Sequence, residues 1–544
     1  MEDESKEIVE KRYESLVEKR EPFLLRARAA SEISIPGIMP HKGFTQTEEL
    51  IAPPSSLIAR GVVNLASKIT LSFLPPNASF FKFVVSEVEL DKAFNESQGA
   101  VTRASVDEML SRQEDIVLNA MENSSLRTPV YEQFEHLIIT GNVLVHLTKK
   151  RKLKLFPLDR YVVVRDDEGS LTEIITKECV QIGILPEGLR KSIISIEDEN
   201  SEEVLKDDVD IYTHCIRIGN KWEVHQEAEG LIVPGSNGSY PEGKLPWLAL
   251  RFEAISGEDY GRGMIEIYAG DIMSLHGNRK ALIDGAAAMA RIIPLINPNG
   301  STKAQSVNDA ENGQAISGRA EDITFAQTNK IGDFQVPLRL EEKLTQELSH
   351  IFLLSSAVQR NAERVTLGEI RLMIQELNSS LGGTYAALAQ DFQTPIVELF
   401  VNNLSKSGKL MPTLQKERNK GTINLQITAG VQALGRDSDN ARLQSSFQML
   451  APLGMDQIMS SLHGDELIRR VLASNMVDNK GLVKTEEEKK QEQQQAQQAQ
   501  QRADMFELLK TATPEAAKQI MPQLFPQQQQ PQQQQPQQQP QPQQ

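Results

Sequence analysis

The sequence predicts a mainly α-helical chain with a β-rich subdomain, an α+β protein. Three observations predict it. Between residues 263 and 401 apolar side chains recur at three- and four-residue steps, the period of a helix face. Between residues 140 and 255 the period drops to two, with turn residues between the runs. Beyond Thr485 the composition collapses into Glu, Lys, Gln and Ala, and residues 527–544 are glutamine and proline only. Such a tail buries too little apolar surface to order itself, so residues 485–544 are expected to be disordered apart from an amphipathic piece at 505–525.

In chain order, the first segment to Arg28 mixes charge with Val9, Tyr13, Leu16 and Val17, as a surface helix does, and Pro36 and Pro40 end it. Helices are expected over 56–72, closed by Pro75-Pro76, over 104–124, and over 129–140, closed by Gly141. Strands are expected at 143–147, around Leu153 and Leu155, at 161–165 and 171–176 on either side of the turn Asp166-Asp167-Glu168-Gly169, and at 209–217, 222–226 and 247–252. From Ile265, the series Tyr268, Ile272, Leu275, Leu282, Ala286 and Met289 marks one face of a helix about eight turns long, interrupted by Arg279. Two readings of Arg279 stay open: an ion-pair partner between copies, or a side chain turned toward an internal channel. Pro294, Pro298 and Gly300 end this helix, and an insert to Asp333 contains the strand-like run Asp322-Ile323-Thr324-Phe325.

A second helix starts near Pro337, carries Leu340, Leu344, Leu348 and Ile351, and stops at Ser355. The loop that follows holds Gln359, Arg360, Asn361, Glu363 and Arg364 with only Val358 and Val365 as apolar anchors, so it faces water or a polar partner. Thr366 and Glu369 form a capping box for a helix with Leu377, Leu381, Tyr385, Leu388 and Phe392 in register. Read through to residue 403 it would be roughly 55 Å long, bent at Gly382-Gly383 and Pro395. A helix of that length exceeds the width of a small domain, which predicts that its seam packs on other copies in a homo-oligomer. One more strand, at 421–428, and three helices, at 438–450, 455–462 and 466–473, complete the chain.

Composition narrows the function. A chain of 544 residues has room for two to four domains. Cys179 and Cys215 have no zinc or disulfide spacing, and Met1-Glu2-Asp3-Glu4 is no secretory start. The most apolar neighbourhood, 281–296, holds Asp284, Arg291 and Pro294 and makes a poor membrane span. Residues 238–244 match a phosphate-loop pattern, but Leu245 stands where magnesium binding needs Ser or Thr, and Pro246 blocks the helix that would cradle phosphate. Histidines are scattered singly, and the acids at 166–168 read as turn chemistry. No catalytic residue, metal ligand or cofactor is assigned. The net charge of −16 argues against a chain that grips nucleic acid through many lasting phosphate contacts.

Five motifs carry a resemblance: Ala59-Arg60-Gly61 with Asn64 to Lys68; Gly141-Asn142-Val143-Leu144; Tyr260-Gly261-Arg262; Gly318-Arg319 with Glu321-Asp322-Ile323; and Ala357-Val358-Gln359-Arg360 continuing through Glu363-Arg364-Val365-Thr366 to Glu369-Ile370-Arg371. In this order, over residues 8–480, the chain resembles the head-to-tail connector, or portal, proteins of short-tailed bacteriophages. The resemblance implies a portal fold: an N-terminal region with a β-rich wing (1–255), a first stem helix (256–293), a clip (294–333), a second stem helix (334–354), a tunnel loop (355–365), a long wing helix with a return strand (366–430) and a helical crown (431–484). It implies a non-enzymatic ring, commonly a dodecamer, at the head-tail junction of the virion, assembled in the host cytoplasm, through which double-stranded DNA is packaged and ejected.

The implied partners are terminase, which supplies the energy of packaging, scaffolding and major capsid proteins, internal core proteins and a tail adaptor, with no membrane insertion. Terminase and the adaptor would use the clip in turn. Gln359, Arg360 and Arg364 would then face the channel, with the two arginines touching phosphate; pairing of those arginines with Glu363 or Glu369 is the competing reading. A non-viral helical scaffold protein with coiled-coil interfaces is the alternative function.

Overall fold

A computed structural model describes residues 8–45, 47–76, 79–85, 103–185, 187–193, 206–290, 293–326, 335–354, 379–412 and 422–427, with single positions at 373, 376, 377, 414 and 418. All lie in the first of the chain's two compact units, Met1–Gly435. The sequence-predicted loop at 355–365, the first turns of the helix from Thr366, the three helices of 438–473 and the tail fall outside the described residues.

The N-terminal part begins with α1 (Val9–Glu32) and α2 (Leu57–Phe73), followed by β1 (Phe81–Val85), α3 (Arg103–Glu122) and α4 (Arg127–Thr140). Then come β2 (Asn142–Leu147), β3 (Leu153–Phe156), β4 (Tyr161–Arg165), β5 (Leu171–Gln181), a short α5 (Glu187–Ile193), β6 (Asp208–Ile218), β7 (Lys221–Ala228), β8 (Leu231–Ile232), β9 (Gly238–Pro241) and β10 (Trp247–Arg251). Strands β4 to β8 form an antiparallel sheet in sequence order, with β9 added on β7; β2 is the centre of a second sheet between β10 and β3. Strand β2 is buried on both faces rather than alternating. Val143, Val145 and Leu147 enter the main core, while Leu144 points to a second core with Tyr161, Ile174 and Trp247.

Residues 238–244 form β9 and a turn, with no helix behind them to receive phosphate. The Asp166 carboxylate accepts from the amides of Glu168 and Ser170 at 3.1 and 2.7 Å and pairs with Arg217 at 3.1 Å, so the acidic turn is held by its own hydrogen bonds.

Helix α1 docks on the large sheet through charge as well as apolar contact. Glu173 on β5 accepts from Arg12 at 2.8 Å and lies 2.9 Å from His214 on β6. Burial by itself would raise the Glu173 carboxyl, but hydrogen bonds from His214 and Arg12 outweigh it and hold the group at about 2. A carboxylate depressed in the folded state stabilises fully above its unfolded value, and that contribution fades as pH falls from about 4.5 toward 2. Glu173→Gln is therefore expected to melt below the wild type at neutral pH. The gap should close on acidification, and melting curves that stay equally separated down to about pH 2 would contradict this.

The second half opens with α6 (Met264–Ile267) and α7 (Ala269–Ala290), then β11 (Ile293–Ile296), a short α8 (Ala304–Asn308), β12 (Ile323–Ala326) and α9 (Gln335–Ile351). The single helix expected from Ile265 is thus two, broken at Tyr268. It ends at Ala290, four residues before Pro294, because Ile293–Ile296 pairs as a strand with Ile323–Ala326. The chain continues with α10 (Gly383–Leu388), a π-turn (Ala389–Gln393), α11 (Thr394–Lys406) and β13 (Ile423–Ile427), which pairs with β1.

The long helix expected through residue 403 is not continuous. Gly382 has φ 53° and ψ −127°, a conformation open to glycine, and the helix is interrupted there. The seam prediction also fails for the described part. Tyr385, Leu388, Phe392, Ile396 and Phe400 are buried in the chain's own core, where Phe73, Phe134 and Phe392 cluster with Tyr385. Broken at Gly382, the segment is short enough to be wrapped by its own fold, so its seam gives no argument for an oligomer.

Candidate functional site

The site has three parts: a projecting two-helix hairpin, its root, and the base of the loop at 355–365. Helices α7 and α9 run side by side as the hairpin, and β11 and β12 close its far end. Arg279 donates from Nε to Glu341 at 2.7 Å and from Nη1 to Ser55 at 3.0 Å, while Asn278 donates to the Pro337 carbonyl at 2.7 Å. The ion-pair partner of Arg279 is thus in its own chain rather than in another copy: it ties the two helices together, because the hairpin brings Glu341 alongside it. His276, one turn earlier, is buried and its ring is pushed below its usual range by desolvation and by the nearby Arg279 charge.

Of the apolar series on α9, Leu344 and Leu348 are buried, but Leu340 is 47% exposed. A helix pair that meets the rest of the chain along one side covers only the stripes turned to that side and to each other. Val336 (72%), Met273 (61%) and Ile283 (57%) are left in solvent. At the far end, the Asp322 carboxylate accepts from the Thr302 amide at 3.1 Å and hydroxyl at 3.0 Å, and the Arg319 amide donates to that same hydroxyl at 2.9 Å. The motif Gly318-Arg319 with Glu321-Asp322 is this knot.

The hairpin is rooted where α4 turns into β2. Gly141 caps α4 in the left-handed region, φ 77°, and its amide donates to the Leu137 carbonyl at 3.0 Å. A Cβ there would lie 2.4 Å from the backbone of Arg262 and Gly263. The next side chain, Asn142, donates to the Gly261 carbonyl at 2.8 Å and accepts from the Gly261 amide at 2.7 Å. Two motifs 119 residues apart are thereby one joint.

The base of the loop is equally specific. Helix α9 ends with Leu353 at φ 54°, and the Leu354 amide reaches back to the Ser349 carbonyl at 2.8 Å, the bonding of a helix end normally completed by glycine. A leucine in that region is strained, and its surroundings must hold it. Asn64 donates to the carbonyls of Phe352 and Leu353, both at 3.0 Å. The buried Lys68 ammonium donates to Leu353 at 2.9 Å and pairs with Glu376, beyond the loop, at 3.2 Å. One turn before Asn64 the backbone must pass the Phe352 ring, and a Cβ at Gly61 would come within 2.6 Å of it.

Gln359, Arg360 and Arg364 lie between these anchors but outside the described residues. The anchoring role of Gly61, Asn64 and Lys68 was missed from sequence alone. The sequence carries no signal for it, since an amide and an ammonium on a helix that also bears Arg60, Ser67 and Thr70 show no period of their own. Among the described residues no group of acids, histidines and cysteines is placed to hold a metal ion.

The family model for the bacteriophage head to tail connecting protein matches residues 6–483. The portal protein of Escherichia phage T7 is 33% identical over 490 residues, covering 88% of each chain. That of Enterobacteria phage T3 is 32% identical over 483 residues with the same coverage, and that of Enterobacteria phage SP6 is 29% identical over 452 residues, 81% of this chain and 83% of its own. Among solved structures, the neck of an empty gene transfer agent particle aligns with TM-score 0.34 and 11% identity over 74% of this chain and 90% of that one, a likeness too loose to decide the fold. A match across most of the length to the family model and to portal proteins leaves no support for a non-viral scaffold; the chain belongs to the bacteriophage head-to-tail connecting proteins.

Proposed function

We propose that copies of this chain close into a ring, a dodecamer, through which double-stranded DNA is packaged into the phage head and later ejected, and on which head and tail assemble. As a member of its family the chain serves as a phage portal. The observation that carries the ring is the hairpin: its helices leave Val336, Met273 and Ile283 uncovered, and a neighbouring hairpin supplies the missing surface. The hairpin is then the stem, residues 294–333 the clip that docks terminase and afterwards the tail adaptor, and residues 355–365 the tunnel loop. The ring does no chemistry of its own and sits at the head-tail junction. Scaffolding, major capsid and internal core proteins are its assembly partners in the host cytoplasm. Electron microscopy of the purified protein, with its mass in solution, tests this reading: annuli with an open centre support it, and a chain that stays single under every assembly condition defeats it.

Arg360 and Arg364 are the proposed phosphate contacts, in a loop whose flanking residues Leu353 and Glu376 are bound by Asn64 and Lys68. Replacing both with alanine is expected to leave rings intact while lowering the DNA packaged or retained per head several-fold. Normal DNA content per head in that variant would remove both residues from the channel.

A further inference from the structure

A cavity of about 690 Å³ opens between the turn joining α3 to α4, the turn joining β2 to β3, and the end of α11. Lys150, Arg151, Lys152 and Lys409 line it, against one carboxylate, Glu132. The chain as a whole carries a net charge of −16, so four cations converging on one concavity run against its average. The three consecutive cations sit on a fixed turn. Arg151 has φ 63°, its amide donates to the Thr148 carbonyl at 2.8 Å, and the Lys152 amide donates to the Thr148 hydroxyl at 3.1 Å. A non-glycine residue held in the left-handed region is a cost the fold sustains at this rim. Across the cavity, Ser125 is also left-handed at φ 52°, and α4 begins beside it with no side-chain cap on its first amides.

We infer that this basic cavity is a second DNA-contacting site, separate from the loop at 355–365, which binds the phosphodiester backbone of duplex DNA without reading its sequence. Ammonium and guanidinium groups, with the Ser125 and Thr128 hydroxyls on the opposite wall, are the donor set that recognises phosphate oxygens. No aromatic side chain lines the cavity, so it offers neither a stacking platform for bases nor the aromatic anchor of a peptide site. DNA, rather than another polyanion, follows from the portal reading. In a head filled with DNA, such a site gives the portal a second, non-specific hold on the duplex.

The test uses assembled rings and closed circular duplex DNA, which cannot thread a closed ring and so reports only contacts outside the channel. Binding is measured across a salt series for the wild type and for a Lys150→Gln, Arg151→Asn, Lys152→Gln, Lys409→Gln variant, asparagine being chosen because it tolerates the left-handed region. The variant is expected to bind at least about tenfold more weakly, with the slope of log affinity against log salt shallower by about 2–4. Equal affinity and slope would overturn the site. So would a wild-type slope shallower than about −1, a reading that needs no variant to fold. Polyglutamate bound more tightly than the duplex would overturn it in favour of an acidic protein. Loss of circular-DNA binding in Arg360→Ala, Arg364→Ala rings, with binding kept in the four-substitution variant, would assign the contact to the loop instead. The four-substitution comparison is read on whatever assembly the chain forms, so failure to form rings counts against the portal reading alone.

Discussion

Gly141→Ala is expected to lower the melting temperature by about 2–6 °C and to cut the yield of assembled protein sharply. Two costs add at this position. A side chain at φ 77° costs about 1–2 kcal/mol. The new Cβ would lie 2.4 Å from the backbone of Arg262 and Gly263, and a backbone cannot swing aside as a side-chain tip can, so overpacking adds about 1–3 kcal/mol more. A sum of about 2–5 kcal/mol is a large share of the 5–15 kcal/mol that holds a typical fold. Gly243 is the control: its φ is 72°, but nothing lies within 4 Å of its would-be Cβ, so Gly243→Ala carries only the conformational cost. Equal, small losses for the two variants would show that the Gly141 contact is not the joint described here.

What was legible in the sequence follows from how local the cause is. Helices α2 and α4 were readable because apolar spacing and a stop signal, Pro75 or Gly141, lie within one window. The strand Phe81–Val85 was not, because its partner is Ile423–Ile427 and no local pattern announces a pairing across the whole unit. Gly382 was read correctly as a weak point and wrongly as a bend: glycine tells where a helix can fail, but only packing decides that the chain leaves it altogether. That error had a consequence. The seam of Tyr385, Leu388 and Phe392 was assigned to other copies, whereas it is buried in the chain's own core, and Val336, Met273 and Ile283 of the hairpin are among the apolar side chains left exposed.

The motifs behave differently from the elements. Four of the five stretches that carried the resemblance lie wholly among the described residues, and three of their residues, Asn64, Asn142 and Asp322, bond to backbone or side chains 20 to 289 residues away. They are joints: the loop base, the hairpin root and the knot at the hairpin's far end. Their roles were invisible from sequence because a hydrogen bond to a distant carbonyl leaves no periodicity. The candidate channel residues are the reverse case, chemically legible as arginines in a polar loop yet without described positions.

The loop anchor yields the remaining prediction. Lys68→Met keeps the length of the side chain and its fit in a buried site while removing the ammonium. The Leu353 carbonyl then loses a charge-assisted hydrogen bond, worth about 1.5–3 kcal/mol, while the one from Asn64 stays. The Glu376 contribution is discounted, since its side chain is 34% exposed and water screens the pair. A loss of about 1.5–3 kcal/mol falls where Leu353 is already strained at φ 54°, so relaxation starts at the base of the loop rather than in the core. Lys68→Met rings are therefore expected to assemble and to melt a few degrees lower. They should also retain less DNA per head, as the Arg360→Ala, Arg364→Ala variant does, although residue 68 itself touches no DNA. Lowered stability with full DNA retention would mean that Lys68 serves the fold alone; unchanged stability would mean that the ammonium does not hold Leu353 at all.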